Sequence, residues 1–294
     1  MNKLLPAILA ILLLNISGLA QTPASANPRL GTLANTTPEQ SQLIIKNTLT
    51  FPEKTQLSIA LIKNNNVIFT GIERIGDTLN YTDNSLKIFE IGSISKVFTS
   101  TLLANLVLSK KVGLNDTMSS CTDLPLNSRD TFTLRELANH TSGLPRLPAN
   151  LNLGTADFRN PYKNYSEEDL VEYLCNDSGA RTLPGEKYEY SNLGAGLLAY
   201  LLEKKAVADY ETMLKKYIFK KYGMKYSSTL RAKLDEDLVP GRDAAGNETP
   251  NWDFNVLAGA GGILSNVHDL TKFVQAQFNP SNTELTLPGK VPLK

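Results

Sequence analysis

Histidine, cysteine and tryptophan are scarce: the 294-residue chain holds two His, two Cys and one Trp. His140 and His268 are far apart, and no Cys/His spacing resembles a metal site. Cys121 and Cys175 could form one disulfide in an exported protein or remain two buried thiols, and the sequence does not choose between these. Basic runs are missing as well. No stripe of Lys and Arg interleaves with aromatics, which argues against nucleic acid as a partner. Beyond the first 14 residues no stretch is long and apolar enough to span a bilayer.

What is present reads as globular. The chain is 41% hydrophobic and 20% charged, long enough for a sizeable core, with a formal charge of +1. Met1-Asn2-Lys3 is a short cationic start, and Leu4 to Leu14 is an apolar run broken by Pro6. Gly18-Leu19-Ala20 and Ala24-Ser25-Ala26 follow as cleavage sites. Residues 1–26 are therefore expected to be a secretory signal peptide, and the mature protein to be periplasmic or extracellular with no stable membrane anchor. No Cys follows the apolar run, so no lipid is attached there. Cleavage after Ala26 removes Lys3 and no acid, lowering the formal charge of +1 by one.

Residues 27–36 read as a mobile start to the mature chain. Thr37-Pro38-Glu39 opens a helix to about Thr50, with Thr as cap and Pro at the first position. Alternation predicts strands over Gln56 to Lys63 and Val67 to Glu73, joined at Asn64-Asn65-Asn66. A helix is predicted from Ser93 to about Lys110, stopping before Gly113. Thr133-x-x-Glu136 is a capping box. Further helices are predicted over Glu167 to Cys175, Leu193 to Lys205, Tyr210 to Tyr222 with Gly223 as stop, and from Asn266 to about Phe278. Residues 279–294 read as an irregular tail. No internal repeat is visible.

Two constellations carry chemistry. In the first, Gly92-Ser93-Ile94-Ser95-Lys96 delivers a Ser and, three positions later, a Lys. If a helix begins near Ser93, both sit on one face, and the amine reaches the hydroxyl. Ser93 also stands at the positive end of the helix dipole, which favours a developing negative charge. The second is Tyr188-Glu189-Tyr190-Ser191-Asn192-Leu193-Gly194, a loop entering a helix. A Tyr beside a Lys can move a proton, and Asn192 can donate to a substrate carbonyl and orient the Lys. Each pattern alone is short. Tyr162-Lys163-Asn164 also fits Tyr-x-Asn.

Taken together, Ser93-x-x-Lys96 followed by Tyr190-x-Asn192 resembles the serine β-lactamase and DD-peptidase superfamily, in particular its class C β-lactamase-related branch. The resemblance extends along roughly residues 55 to 278. It takes in Phe132-Thr133-Leu134-Arg135-Glu136-Leu137 leading to His140-Thr141-Ser142-Gly143-Leu144-Pro145, then Leu183-Pro184-Gly185-Glu186, Tyr222-Gly223-Met224, and Ala260-Gly261-Gly262-Ile263-Leu264-Ser265. It implies an α+β fold of β-lactamase/transpeptidase type: an antiparallel sheet flanked by helices, plus a mainly helical region. It implies Ser93 as acylated nucleophile, Lys96 as base, Tyr190 as proton carrier to the leaving group and to the deacylating water, and Asn192 as substrate-binding residue. The Ser93 amide would supply one oxyanion donor. No cofactor and no metal are expected. The expected partners are a small-molecule or peptidoglycan-peptide substrate, and the expected state is a monomer. His140 is expected to fix a loop rather than to catalyse.

One departure qualifies this picture. The family's third motif, Lys or His followed by Ser or Thr and Gly, does not occur after Asn192. In the family it lies on C-terminal strands that complete the sheet beside the N-terminal hairpin. A domain spanning residues 27–278 is thus expected to be incomplete, with those strands missing and the hairpin left with an open edge. Two readings follow. One is an exported serine hydrolase acting through an acyl-enzyme on β-lactam, D-Ala-D-Ala peptide or ester substrates. The other is a truncated, non-catalytic family member.

Overall fold

The computed structural model describes residues 36–124, 131–151, 159–176, 182–279 and 282. The expected leader, the segment that follows it and nearly all of the tail lie outside these residues.

Helix α1 (Pro38–Thr48) opens as its sequence predicts. Thr37 Oγ1 accepts from the Gln40 amide at 3.2 Å, and Gln40 Oε1 accepts from the Thr37 amide at 3.0 Å. Strands β1 (Gln56–Lys63) and β2 (Asn66–Ile75) pair antiparallel, with Ile59 opposite Thr70 and Lys63 opposite Asn66. Asn64 and Asn65 both have positive φ, 49° and 63°, as a tight hairpin turn of this hand demands. A third strand, β3 (Thr78–Tyr81), folds back on β2 through a turn at Gly76-Asp77. The expectation of a lone hairpin is corrected here. Gly76-Asp77 is itself a two-residue hairpin signal, but the strand that follows is only four residues long. The sheet order is β1-β2-β3, and among the described residues no strand pairs with the outer edge of β1.

The rest is mainly helical and carries the core. Strand β4 (Phe89–Glu90) leads into α2 (Ser95–Leu108), which buries Phe98, Leu102, Leu103 and Leu106. Helices α3 (Met118–Cys121), α4 (Leu134–Ala138) and α5 (Glu167–Asn176) follow. The Thr133–Glu136 capping box is present. Helix α6 (Asn192–Ala206) is buried on all sides from Leu193 to Leu202, as expected of a helix apolar around its whole girth. Helix α7 (Tyr210–Leu214) continues through a π turn (Lys215–Phe219) into α8 (Lys220–Tyr222), ending at Gly223 with φ +68°. The π turn is not visible in the sequence. Short strands β5 (Gly241–Arg242) and β6 (Glu248–Thr249) form a small ribbon, and β7 (Leu264–Ser265) pairs with β4. Helix α9 (Val267–Gln277), capped by Asn266, lies against the hairpin, where His268 stacks on Phe69 with centroids 3.9 Å apart. The arrangement is the expected α+β one, helices around an antiparallel sheet. Cys121 and Cys175 are free thiols, which resolves the alternative left open by the sequence. Among the described residues no helix is long and apolar enough to cross a membrane, and no cluster of His, Cys, Asp and Glu could hold a metal.

Candidate active site

Ser93 does not open the α-helix. It sits in a 3₁₀ turn (Gly92–Ile94) immediately before α2, and Gly92, at φ +50°, takes the left-handed conformation this entry requires. In a 3₁₀ turn, side chains three apart eclipse one another. Ser93 and Lys96 therefore share one side, as the spacing predicts, although by a tighter geometry. Lys96 Nζ lies 3.2 Å from Ser93 Oγ, and Ser93 is exposed while the Lys is buried.

The second hydrogen bond of Lys96 goes to the Ala260 carbonyl, at 2.6 Å. This is the group that aims the amine, not Asn192. The carbonyl is brought in by the segment before β7. Thr99 Oγ1 donates to the Gly259 carbonyl at 2.8 Å, and the Ile263 amide donates to Ser95 Oγ at 3.1 Å. A Cβ at Gly259 would stand 2.5 Å from that of Ala199 and 2.8 Å from the Ala195 carbonyl, so only glycine permits this approach to α6. Burial first, and the Arg146 charge second, push the Lys96 ammonium down to about 7. A large neutral fraction is thus available at neutral pH.

Tyr190 reaches the same oxygen from the other side. Its hydroxyl donates to Ser93 Oγ at 2.6 Å, and its ring lies 4.8 Å below Lys96 Nζ. The segment carrying it is held by the loop after α4. The His140 carbonyl accepts from the Glu189 amide at 2.8 Å, Ser191 Oγ donates to the Pro145 carbonyl at 2.6 Å, and the Arg146 carbonyl accepts from the Asn192 amide at 2.9 Å. Ser191 also caps α6 by accepting from the Gly194 amide at 2.8 Å.

Asn192, two residues after Tyr190, makes no hydrogen bond to these three among the described residues. Its amide donates to the Tyr162 hydroxyl at 3.0 Å, and its buried Oδ1 has no partner among the described residues. Tyr162 belongs to the other Tyr-x-Asn triplet, Tyr162-Lys163-Asn164. It stacks on Phe254 with centroids 4.5 Å apart, and Trp252 lies 5.6 Å from it, 43% exposed. These aromatics form a wall that no local motif announces. The Ala260 carbonyl was equally hidden, because a backbone acceptor leaves no trace in a residue pattern.

His140 has φ +59°, and its Nδ1 accepts from the Ser191 amide at 3.2 Å. Its ring packs 4.7 Å from that of Tyr190. Burial first, then the nearby Lys96 charge, hold the imidazole down to about 4, so it is neutral near pH 7. An acceptor at this position locks the backbone just after Tyr190. His140→Ala should slow acylation roughly ten- to hundredfold through misplacement of that hydroxyl. His140→Asn, which keeps an acceptor and tolerates positive φ, should recover most of the loss. Stopped-flow acylation rates check this. Equal losses in both variants would contradict a positioning role.

Comparison with known proteins gives a consistent result. The family model described as Beta-lactamase matches residues 52–290. A beta-lactamase of Pseudomonas fluorescens is 27% identical over 79% of this chain and 62% of its own length. The D-alanyl-D-alanine-carboxypeptidase/endopeptidase AmpH of Escherichia coli K12 is 27% identical over 75% of this chain and 57% of its own. The chain thus spans about three-fifths of the length of these curated relatives. Among solved structures, a beta-lactamase/D-alanine carboxypeptidase from Yersinia pestis superposes with a TM-score of 0.65 at 24% identity, over 82% of this chain and 69% of that one. A mutant class C beta-lactamase gives 0.64 at 26% identity, over 81% and 62%.

Proposed function

This chain belongs to the beta-lactamase family, and from that premise we propose that it is a serine acyl-hydrolase with Ser93 as nucleophile. The observation that carries this is one oxygen held by two proton-handling groups: Ser93 Oγ lies 2.6 Å from the Tyr190 hydroxyl and 3.2 Å from Lys96 Nζ.

The chemistry follows from that geometry. With Lys96 neutral, one N–H still binds the Ala260 carbonyl, and the lone pair faces the Ser93 hydroxyl. Lys96 takes the Ser93 proton as Oγ attacks the substrate carbonyl carbon. The Ser93 amide donates to the oxygen that becomes negative. Tyr190 passes a proton to the leaving nitrogen or oxygen as the scissile bond breaks, and Lys96 returns its proton to Tyr190. Water then attacks the acyl carbon, giving its proton to Tyr190 as Tyr190 gives its own to the neutral Lys96, and Lys96 returns that proton to Ser93 Oγ as the ester bond breaks. Asn192, whose Oδ1 has no partner among the described residues, is suited to receive a substrate N–H.

The substrate class is β-lactam, D-Ala-D-Ala peptide or ester; one fold of this kind hosts several chemistries. We also propose export, on the pattern of residues 1–26, and a monomer. A second reading, a non-catalytic member, is favoured by one specific observation. Among the described residues no strand pairs with the outer edge of β1, which leaves the sheet open on that side.

Intact-mass measurement after exposure to a labelled penicillin decides between them. A mass gain of one penicillin, mapped by digestion to the peptide bearing Ser93, is the expected result. A folded sample that gains no mass would establish the second reading.

A further inference from the structure

Arg146 is exposed, at the end of the loop that holds Tyr190, and its guanidinium carbon stands 5.2 Å from the centre of the Tyr190 ring. Lys96 Nζ lies 4.8 Å from the same centre. Two cations thus share one ring, whose hydroxyl touches the nucleophile. Lys96 is buried and committed to the Ala260 carbonyl and Ser93. Arg146 is not committed: no carboxylate pairs with it among the described residues.

The acids on neighbouring segments are engaged elsewhere. Glu189 pairs with Lys187 at 2.7 Å, and Asp253 with Arg231 at 2.8 Å. Glu90 accepts from the Trp252 amide and from the Asn251 side chain. The titratable groups facing Lys96 and Arg146 are Tyr190, Tyr162 and His140, and none is an acid; burial raises Tyr162 and lowers His140, which leaves both of these uncharged near pH 7. The mouth beside Ser93 therefore carries positive charge with no local counter-ion. Arg146 is placed on the Asn192 side of it, because its carbonyl accepts from the Asn192 and Leu193 amides and its charge acts on Tyr162.

A guanidinium that is exposed, held against a ring and without a carboxylate is preorganised for a planar anion. It offers a fork of parallel donors that an ammonium cannot. We propose that Arg146 is a specificity-determining residue that binds a carboxylate on the substrate, so that this site prefers anionic acyl donors to neutral ones. The inference rests on the reading of Ser93 as nucleophile. It adds the side chain that receives the carboxylate which β-lactams and D-Ala-D-Ala peptides carry, an assignment that the Ser93 network does not make.

The test compares three esters: phenyl pentanoate, the phenyl monoester of glutarate, and the pentanoate ester of 3-hydroxybenzoate. The first is neutral, the second carries its carboxylate on the acyl side and the third on the leaving group. In the unsubstituted chain, kcat/KM for at least one carboxylate ester should exceed that for the neutral ester. In Arg146→Gln that ratio should fall roughly ten- to hundredfold, as expected for loss of a charge-assisted hydrogen bond. Arg146→Lys should fall between. Preference for the glutarate ester assigns the anion to the acyl side, and preference for the hydroxybenzoate ester to the leaving group; either supports the proposal. A ratio unmoved by Arg146→Gln overturns it. The loop's hold on Asn192 uses the Arg146 backbone carbonyl, so the substitution spares it. Kd values for the same esters on Ser93→Ala, with and without Arg146→Gln, measure recognition without turnover. If the unsubstituted chain hydrolyses none of the three, the penicillin mass measurement still decides the hydrolase reading, and the Kd ratio decides the role of Arg146.

Discussion

Lys96→Ala should slow acylation of Ser93 about a hundred- to ten-thousandfold, the range associated with loss of a positioned general base. The expectation comes from the paired contacts of the amine, 3.2 Å to Ser93 Oγ and 2.6 Å to the Ala260 carbonyl. Alanine leaves Ser93 in place and removes the amine proposed to take its proton. It also leaves a buried carbonyl without its donor, so the thermal midpoint of the variant must be measured alongside. The pH profile supplies the sharper signature. The reactive form of Lys96 is the neutral amine, and burial together with Arg146 brings its pKa down to about 7. Acylation should therefore rise with pH and level off above about 7 in the unsubstituted chain. In Lys96→Ala that rise should vanish. In Arg146→Gln the like charge is gone, the ammonium is easier to keep, and the rise should move to higher pH. His140 adds no inflection between pH 5 and 8, since its imidazole is held down to about 4. A profile for Lys96→Ala that keeps the inflection near 7 would assign the base elsewhere.

Phe98→Ala should cost about 3–5 kcal/mol of folding stability. Phe98 is fully buried on α2, five residues beyond Ser93. Its ring lies 4.4 Å from that of Phe273 on α9 and 6.3 Å, edge-on, from that of Phe219 in the π turn. Deleting it removes the transfer energy of a large apolar side chain. It also opens a cavity where three elements meet, and the rigid neighbours can fill that space only in part. Against a typical total of about 5–15 kcal/mol, this is a large fraction. The midpoint of urea unfolding should drop while its slope stays constant. A loss below about 1 kcal/mol would mean that the three elements do not form one packed unit. Because α2 also carries Lys96, the acylation rate should fall in parallel near the unfolding temperature and recover on cooling.

The two constellations differ in how much of their geometry the residues reveal. Ser93 and Lys96 are three apart on one turn, so their meeting is a local matter of backbone pitch. The sequence anticipates it even though the turn is 3₁₀ rather than α. The caps at Thr37, Thr133, Ser191 and Asn266 are local in the same sense, since each side chain closes on an amide three residues later. Strand β3 is missed because Thr78-Leu79-Asn80-Tyr81, although it alternates, is too short to give a clear periodic signal, and it forms against the edge that β2 offers. The aim of Lys96 depends on a backbone carbonyl 164 residues away. Its pKa depends on burial and on Arg146, neither of which a motif encodes.

The sequence by itself therefore determined the family, the α+β class, most helix limits and the identities of Ser93, Lys96, Tyr190 and Asn192 as the residues to examine. Propensity, caps and short-range spacing suffice for that. Only the tertiary structure decided three things: that the Ala260 carbonyl rather than Asn192 aims the amine, that Tyr162 takes up Asn192, and that Arg146 stands free beside the Tyr190 ring. Each of these joins residues from different segments through desolvation and close packing, and such contacts exist only once the chain has closed on itself.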